Sequence, residues 1–231
     1  MKGILYLIPV PISEADDISF VYPLLLSTVN SLDEFIVEDL KTARRSLRKI
    51  GCKGDFDKMS FHVLNEHTDT KDIEKFLSSA EKGKNVGLMS DAGMPCIADP
   101  GSEIVKLAHK KNIKVVPLYG QSSIFLALAA SGLNGQNFCF HGYLPKEQAN
   151  RKKKLKEIEK MAGTQIFIET PYRNNHMLSD ILESCTPETL LCVATDISGK
   201  SESIITESVA EWNRGDVPNL NKLPTVFLLG R

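Results

Sequence analysis

The sequence predicts an α/β protein, and two observations predict it. Short apolar runs of strand length alternate with segments of helical periodicity almost throughout the chain. A loop dense in acids, glycines and prolines follows one of those runs, where an open α/β sheet binds its ligands. With 231 residues there is enough chain for one large domain or two small ones, each with a core.

In the first half, residues 4–8, 34–37, 61–64, 86–89 and 114–117 read as strands. Helices are expected at 41–50, 71–80 and 102–111. The clearest is 71–80, where Ile73, Phe76, Leu77 and Ala80 share a face. Segment 122–131 is apolar almost all round, which predicts a buried helix capped by Gln121 or Ser122. Strand 138–141, helix 151–161, strand 165–168, helix 172–183 and strands 190–194 and 226–229 follow. The run Pro117-Leu118-Tyr119-Gly120 reads as a hinge, which divides the chain into domains 1–117 and 118–231.

The loop after strand 86–89 is Ser90-Asp91-Ala92-Gly93-Met94-Pro95-Cys96-Ile97-Ala98-Asp99-Pro100-Gly101. Glycine lets backbone approach a ligand closely and proline fixes the loop in advance. By itself this is either a ligand loop or an ordinary strand-to-helix turn. The run Arg151-Lys152-Lys153-Lys154-Leu155-Lys156, with an apolar stripe at Leu155, Ile158 and Met161, is either a solvated helix face or an edge that grips phosphates.

Composition excludes several classes. Hydrophobic residues make up 42% and charged residues 25%, ordinary for a soluble globular chain. A formal charge of −1 gives no global basic field for nucleic acid. Five scattered cysteines without a CxxC pair fit a reducing cytoplasm, and no metal-ligand spacing occurs. No signal peptide and no run of membrane-spanning length is read, so a cytoplasmic protein is expected. Neither G-x-G-x-x-G after a strand nor G-x-x-x-x-G-K-S/T is found, which disfavours dinucleotide and P-loop cofactors.

The acid- and glycine-rich loop resembles the SDAGTPGISDPG signature of the tetrapyrrole methylase superfamily, on its ribosomal-RNA 2′-O-methyltransferase branch. Further likenesses follow in order. They are Gly3-Ile4-Leu5-Tyr6 with Pro11-Ile12, Glu38-Asp39 (EDTR), Asn65-Glu66 (HNE), Gly120-Gln121-Ser122-Ser123 (PGPSA) and Ala130-Ser131-Gly132-Leu133 (SGL). Phe140-His141-Gly142-Tyr143-Leu144-Pro145 is similar to FxGFLP, and Glu169-Thr170-Pro171-Tyr172-Arg173 to ESPHR. The resemblance implies two α/β domains with S-adenosylmethionine in the cleft between them, and a homodimer. It implies cofactor contacts at Pro9, Asp91, Met94, Ile97, Ser122 and Ser123, and at Tyr143, Ile168, Ala194, Pro224 and Thr225 from the second half. A turn that lacks phosphate fingerprints suits such a cofactor.

A sulfonium methyl is already activated, so the protein must align the acceptor and exclude water. A ribose hydroxyl also needs a base. Glu38, Asp39 and Glu169 are the candidates within the likeness, with Asp196 and His67 as further acids and bases at strand ends. Arg44 and Arg173 are candidates to hold a phosphate or carboxylate of the substrate. Departures fall on the substrate side. TPIGN reads Val10-Pro11-Ile12-Ser13-Glu14, EDTR reads Glu38-Asp39-Leu40-Lys41, and the first proline of PGPSA is Tyr119. ELTK reads Asp196-Ile197-Ser198-Gly199, and no RNA-binding module is read after the last strand. The resemblance implies rRNA or the small ribosomal subunit as the first acceptor. A tetrapyrrole or other small molecule, and an inactive cofactor-binding homologue, are the alternatives.

Overall fold

Strand β4 (Val86–Met89) is buried along its whole length, as the central strand of a sheet covered on both faces must be. The computed structural model describes residues 1–13, 21–65, 68 and 70–231. They form two compact units, Met1–Ser122 and Ser123–Arg231. Around β4 the first unit adds β1 (Ile4–Leu7), β2 (Glu34–Val37), β3 (Ser60–Val63) and β5 (Lys114–Pro117). Their order is β3-β2-β4-β1-β5 and every pair is parallel.

Side-chain alternation along β2 sends Phe35 and Val37 to one face and Ile36 to the other. On the first face, α1 (Pro23–Asn30) and α2 (Leu40–Ile50) bury Leu25, Val29, Ala43, Leu47 and Ile50. On the second, α5 (Ser102–Lys110) buries Ile104 and Ala108 against Leu5, Val86 and Leu88. The chain thus leaves β1 towards β2 over one face and leaves β4 towards β5 over the other. Because β1 and β4 are neighbours, the order reverses between them, and this leaves a crevice outside their C-terminal ends.

Within the first unit, the expected helix 71–80 is instead three short pieces. These are α3 (Thr70–Ile73), a 3-10 turn at Glu74–Leu77, and α4 (Ser78–Glu81). The tighter turn lets the consecutive residues Phe76 and Leu77 both bury, which one face of a straight α-helix does poorly. Helix α1 was not expected. Its Leu24-Leu25-Leu26 run carries no helical period, and Pro23 at its first position sets the start.

The second unit begins with α6 (Ser123–Ala130), which lies against the last strand, β10 (Thr225–Gly230). With β6 (Phe138–Tyr143), β7 (Thr164–Ile168), β8 (Leu190–Thr195) and β9 (Ser203–Ser208), the sheet order is β6-β7-β10-β8-β9. Only β6 and β7 are parallel. β9 was missed because it is an alternating strand with Ile204, Thr206 and Ser208 facing inward, so its inner row holds one apolar side chain. Helices α7 (Gln148–Ile158) and α8 (Asn174–Ser184) and the short α9 (Val209–Trp212) enclose the core with Phe167, Leu191, Val193 and Phe227.

The basic run on α7 is largely engaged within this unit. Arg151 is buried and pairs with Asp180 of α8, whose side chain is 1% exposed, and also donates to the Pro145 and Lys146 carbonyls. Lys152 bridges Asp180 and Glu183. Leu155 and Ile158 join the core, whereas Met161, expected on the same stripe, is exposed. Replacing Asp180 by alanine strands the Arg151 guanidinium in the interior. It is expected to destabilise the second unit by about 3–5 kcal/mol, against about 0.5 kcal/mol or less for Glu103→Gln in the exposed Glu103–Lys106 pair, in urea unfolding.

Candidate cofactor and active site

The C-terminal ends of β1, β2, β4 and β5 gather the sequence candidates of the first unit along one edge. Pro9 follows β1 and is buried. Glu38 and Asp39 follow β2, the Asp91 loop follows β4, and Ser122 lies in the turn after β5, where it is buried. Val10 and Gly93 hold the first and third of these loops together as a two-residue antiparallel bridge, each N–H donating to the other's carbonyl. Glu38 is half-buried, and its Oε2 accepts from the Asp91 N–H at 3.4 Å.

Three carboxyl groups at this edge have pKa values raised above the ordinary range. Burial is the largest cause for each. Glu38 is pushed up further by the charges of Asp91 and Asp99, and Asp91 by that of Asp39. Asp99 is pushed up to about 6 by burial and Asp91, against a hydrogen bond from Ser90 that opposes the rise. Such a cluster favours a ligand with positive charge, which relieves the repulsion and restores the charged forms. Asp99 was missed as a candidate, although it stands within the loop singled out from the sequence; only folding shows that it turns back beside Ser90 and Glu38.

Asp39 behaves differently. Its Oδ1 accepts from the Thr42 N–H at 2.8 Å and the Thr42 hydroxyl at 2.9 Å, so it caps α2. Those bonds hold its carboxyl below the ordinary range. A carboxylate used this way is a poor proton acceptor. Arg44 lies with its guanidinium 5.4 Å from the Phe61 ring centre and 5.8 Å from that of Phe56, so it packs α2 against aromatic rings. On a neighbouring face of the same helix, Arg45 and Lys49 line a cavity of about 170 Å³ with Ser13, Thr42, Ser46 and Asp91. The recurrence of Thr42, Arg45, Ser46 and Lys49 at i, i+3, i+4 and i+7 was the sequence signal for that face.

The loop itself is strained. Cys96 and Ala98 both have positive φ, 68° and 67°. The first stands where the resembling signature has glycine, and such a conformation costs a non-glycine residue about 1–3 kcal/mol. Gly101 closes the loop at φ 135°, and a side chain there would also meet Cys96 Sγ at 2.7 Å and Leu88 at 3.1 Å. Met94 and Ile97 are half-buried in the same loop.

In the second unit the sheet register aligns another set. Tyr143 pairs with Ile168, Ile168 with Val226, and Val226 with Ala194, while Thr225 pairs with Thr195. Because β10 runs antiparallel to β7 and β8, its start, Pro224-Thr225, lies at the same edge as their ends. Tyr143 is exposed there, Ala194 and Thr225 are buried, and Ile168 is half-buried. Ser123 begins α6.

Glu169 follows β7 with its side chain 1% exposed, paired with Arg173 and accepting from the Thr170 N–H at 2.6 Å. Arg173 therefore holds a carboxylate of its own unit, and Glu169 is enclosed by that clamp. Asp196, with φ 47°, shapes the turn after β8 by accepting from the Ser201 N–H. Asn65 is exposed, while Glu66, His67 and Glu14 lie outside the described residues. Among the described residues no group of three or more His, Cys, Asp or Glu is arranged to hold a metal ion. None of the helices described there is long and apolar enough to cross a membrane.

Comparison with known proteins gives consistent results. The profile of Tetrapyrrole (Corrin/Porphyrin) Methylases matches residues 5–212. The ribosomal RNA small subunit methyltransferase I of Pasteurella multocida is 30% identical over 231 residues, covering 99% of this chain and 79% of that protein. The protein of the same name from Bacillus subtilis is 34% identical, covering 90% and 68%. Among solved structures, the methyltransferase CobJ superposes with a TM-score of 0.65 at 17% identity, over 99% of this chain and 94% of the other. The uroporphyrin-III-C-methyltransferase of Thermus thermophilus gives 0.59 at 16%, with the same coverage of both. At those identities the two structures speak for the fold.

The raised carboxyl of Asp99 has a stability consequence. A group whose folded pKa lies above its unfolded value favours the folded state only at low pH, and that advantage is lost as pH rises through about 6. Asp99→Asn is therefore expected to raise the melting midpoint at about pH 7.5, with the gain gone by about pH 4. Differential scanning calorimetry at the two pH values checks this.

Proposed function

The chain belongs to the tetrapyrrole methylase family and is a methyltransferase; from that premise we propose that its donor is S-adenosylmethionine and its acceptor a ribose 2′-hydroxyl of small-subunit rRNA. The observation that carries the donor assignment is the group of partly buried carboxyls at the edge of the parallel sheet, raised by burial and by neighbouring acids. S-adenosylmethionine bears a sulfonium and an ammonium, so the residues present fit it. The acceptor rests on relatives named as rRNA methyltransferases that match across nearly the whole chain. A tetrapyrrole acceptor is named by the family profile and by one solved structure at 16% identity, which speaks for the fold alone, whereas the relatives that match most of the chain are named for rRNA.

When bound, this donor supplies a methyl group already activated for transfer. Asp91 and Asp99 would hold its positive charge. Pro9, Met94, Ile97, Ser122 and Ser123 would line it at the loop, and Tyr143, Ile168, Ala194, Pro224 and Thr225 are the further contacts that the family resemblance implies. Glu38 is the group we assign to take the ribose proton, because its pKa is raised towards the working range while Asp39 is committed to its helix cap and Glu169 to Arg173. Arg173 and Arg44 then position carboxylate and ring partners within the protein rather than substrate. The domain boundary read at residue 117, the cytoplasmic location and the homodimer belong to the same reading.

The test is transfer of a labelled methyl group to small ribosomal subunits, with calorimetric titration of S-adenosylhomocysteine alongside. We expect label in the rRNA and an Asp91→Ala affinity weaker by about tenfold or more, as for loss of one charge-assisted contact. Absence of both transfer and binding would sink the reading.

A further inference from the structure

We propose that Tyr119, stacked on Tyr22, is a preformed plate on which a base of the acceptor RNA stacks. The two rings lie 3.8 Å apart at 9° to each other, and Tyr119 is nevertheless 68% exposed. A tyrosine that only fills a core hides its ring. This one is covered on one side and open on the other.

Both rings are fixed from below. Tyr22 packs against the core face formed by α1 and α2, and Pro23 after it starts α1. Tyr119 is held between two anchored neighbours. Leu118 is buried and donates its N–H to the Leu7 carbonyl at 3.0 Å. Gly120 sits so close to Pro9 that a Cβ there would collide with the proline ring. The Gln121 carbonyl, next along, lies 3.3 Å from where a Cβ of Gly93 would stand. The plate therefore rises from the same sheet edge as the Asp91 loop and Glu38.

A fixed, exposed aromatic face at that edge suits a flat, weakly polar ring, and every nucleobase offers one. Ordering costs little, because the plate is held before the base arrives. The position is a property of this chain: the resembling turn has proline where Tyr119 stands. The inference rests on the rRNA reading above. It makes Tyr119 a substrate-positioning residue that supplies contact rather than proton transfer.

The experiment measures kcat and KM for methyl transfer to small ribosomal subunits, and the S-adenosylhomocysteine affinity, in wild type, Tyr119→Ala, Tyr119→Phe and Tyr22→Leu. Tyr119→Ala should lower kcat/KM for the subunits by about fivefold to a hundredfold, the usual range for one stacked base, mainly through KM. Tyr119→Phe should stay within about threefold, since the plate is kept. Tyr22→Leu should give an intermediate loss by freeing the upper ring. Product affinity should be the same in all four. Wild-type kcat/KM in Tyr119→Ala, or an equal loss in Tyr119→Phe, overturns the proposal. So does a parallel loss of S-adenosylhomocysteine affinity, which would mean that the ring serves the donor or props the loop. Subunits left unlabelled by a wild type that binds the product overturn the acceptor reading itself, and the stacking proposal with it.

Discussion

The partial burial of neighbouring carboxyl groups at one edge of a parallel sheet is the constraint on which the first unit turns. Glu38, Asp91 and Asp99 are brought together by strand order, since β4 lies between β2 and β1. Left to themselves these groups would separate into water. They are held by a sheet packed on both faces, by the Val10–Gly93 bridge, and by a loop that tolerates positive φ at Cys96 and Ala98. Stability is thus given up locally, at a ligand edge, where perturbed acids and strained backbone tend to gather. The cost is borne by the central strands β2 and β4, which bury nearly every side chain.

The second unit solves a different problem. Its sheet is mixed, and its buried charges are matched. Asp180 meets Arg151, and Glu169 meets Arg173. Glu159 accepts from the Thr186 N–H and the Thr189 hydroxyl, bonds that hold its carboxyl down against its burial. The contrast between acids paired or hydrogen-bonded here and acids raised by burial and by neighbouring acids in the first unit is what separates structural from chemical roles among groups that look alike in the sequence.

Much of the fold was legible because parallel strands read as short apolar runs: 34–37 and 86–89, buried on both faces, and the edge strand 114–117, with its half-buried Val115 and Val116, are strands with those bounds. What escaped had another physical signature. β9 places one apolar side chain in its inner row, and α1 begins with three leucines that carry no period. The sequence marked the Asp91 loop, yet it could not separate Asp39 from Glu38. Neighbours in the chain, they differ only in that the first accepts from Thr42 and the second turns towards Asp91. Likewise Arg44 and Arg45 are adjacent, but the helical turn sends one onto Phe56 and Phe61 and the other to a cavity beside Asp91.

The central claim is that a cation binds among carboxyls whose pKa values are raised. The most direct test is the number of protons released when S-adenosylmethionine binds, from calorimetric titrations in buffers of different ionisation heat. The account requires release near about pH 6, where Asp99 is half protonated, fading by about pH 8 and reduced in Asp99→Asn. Binding with no net proton release near about pH 6, or the same release in Asp99→Asn, would contradict it.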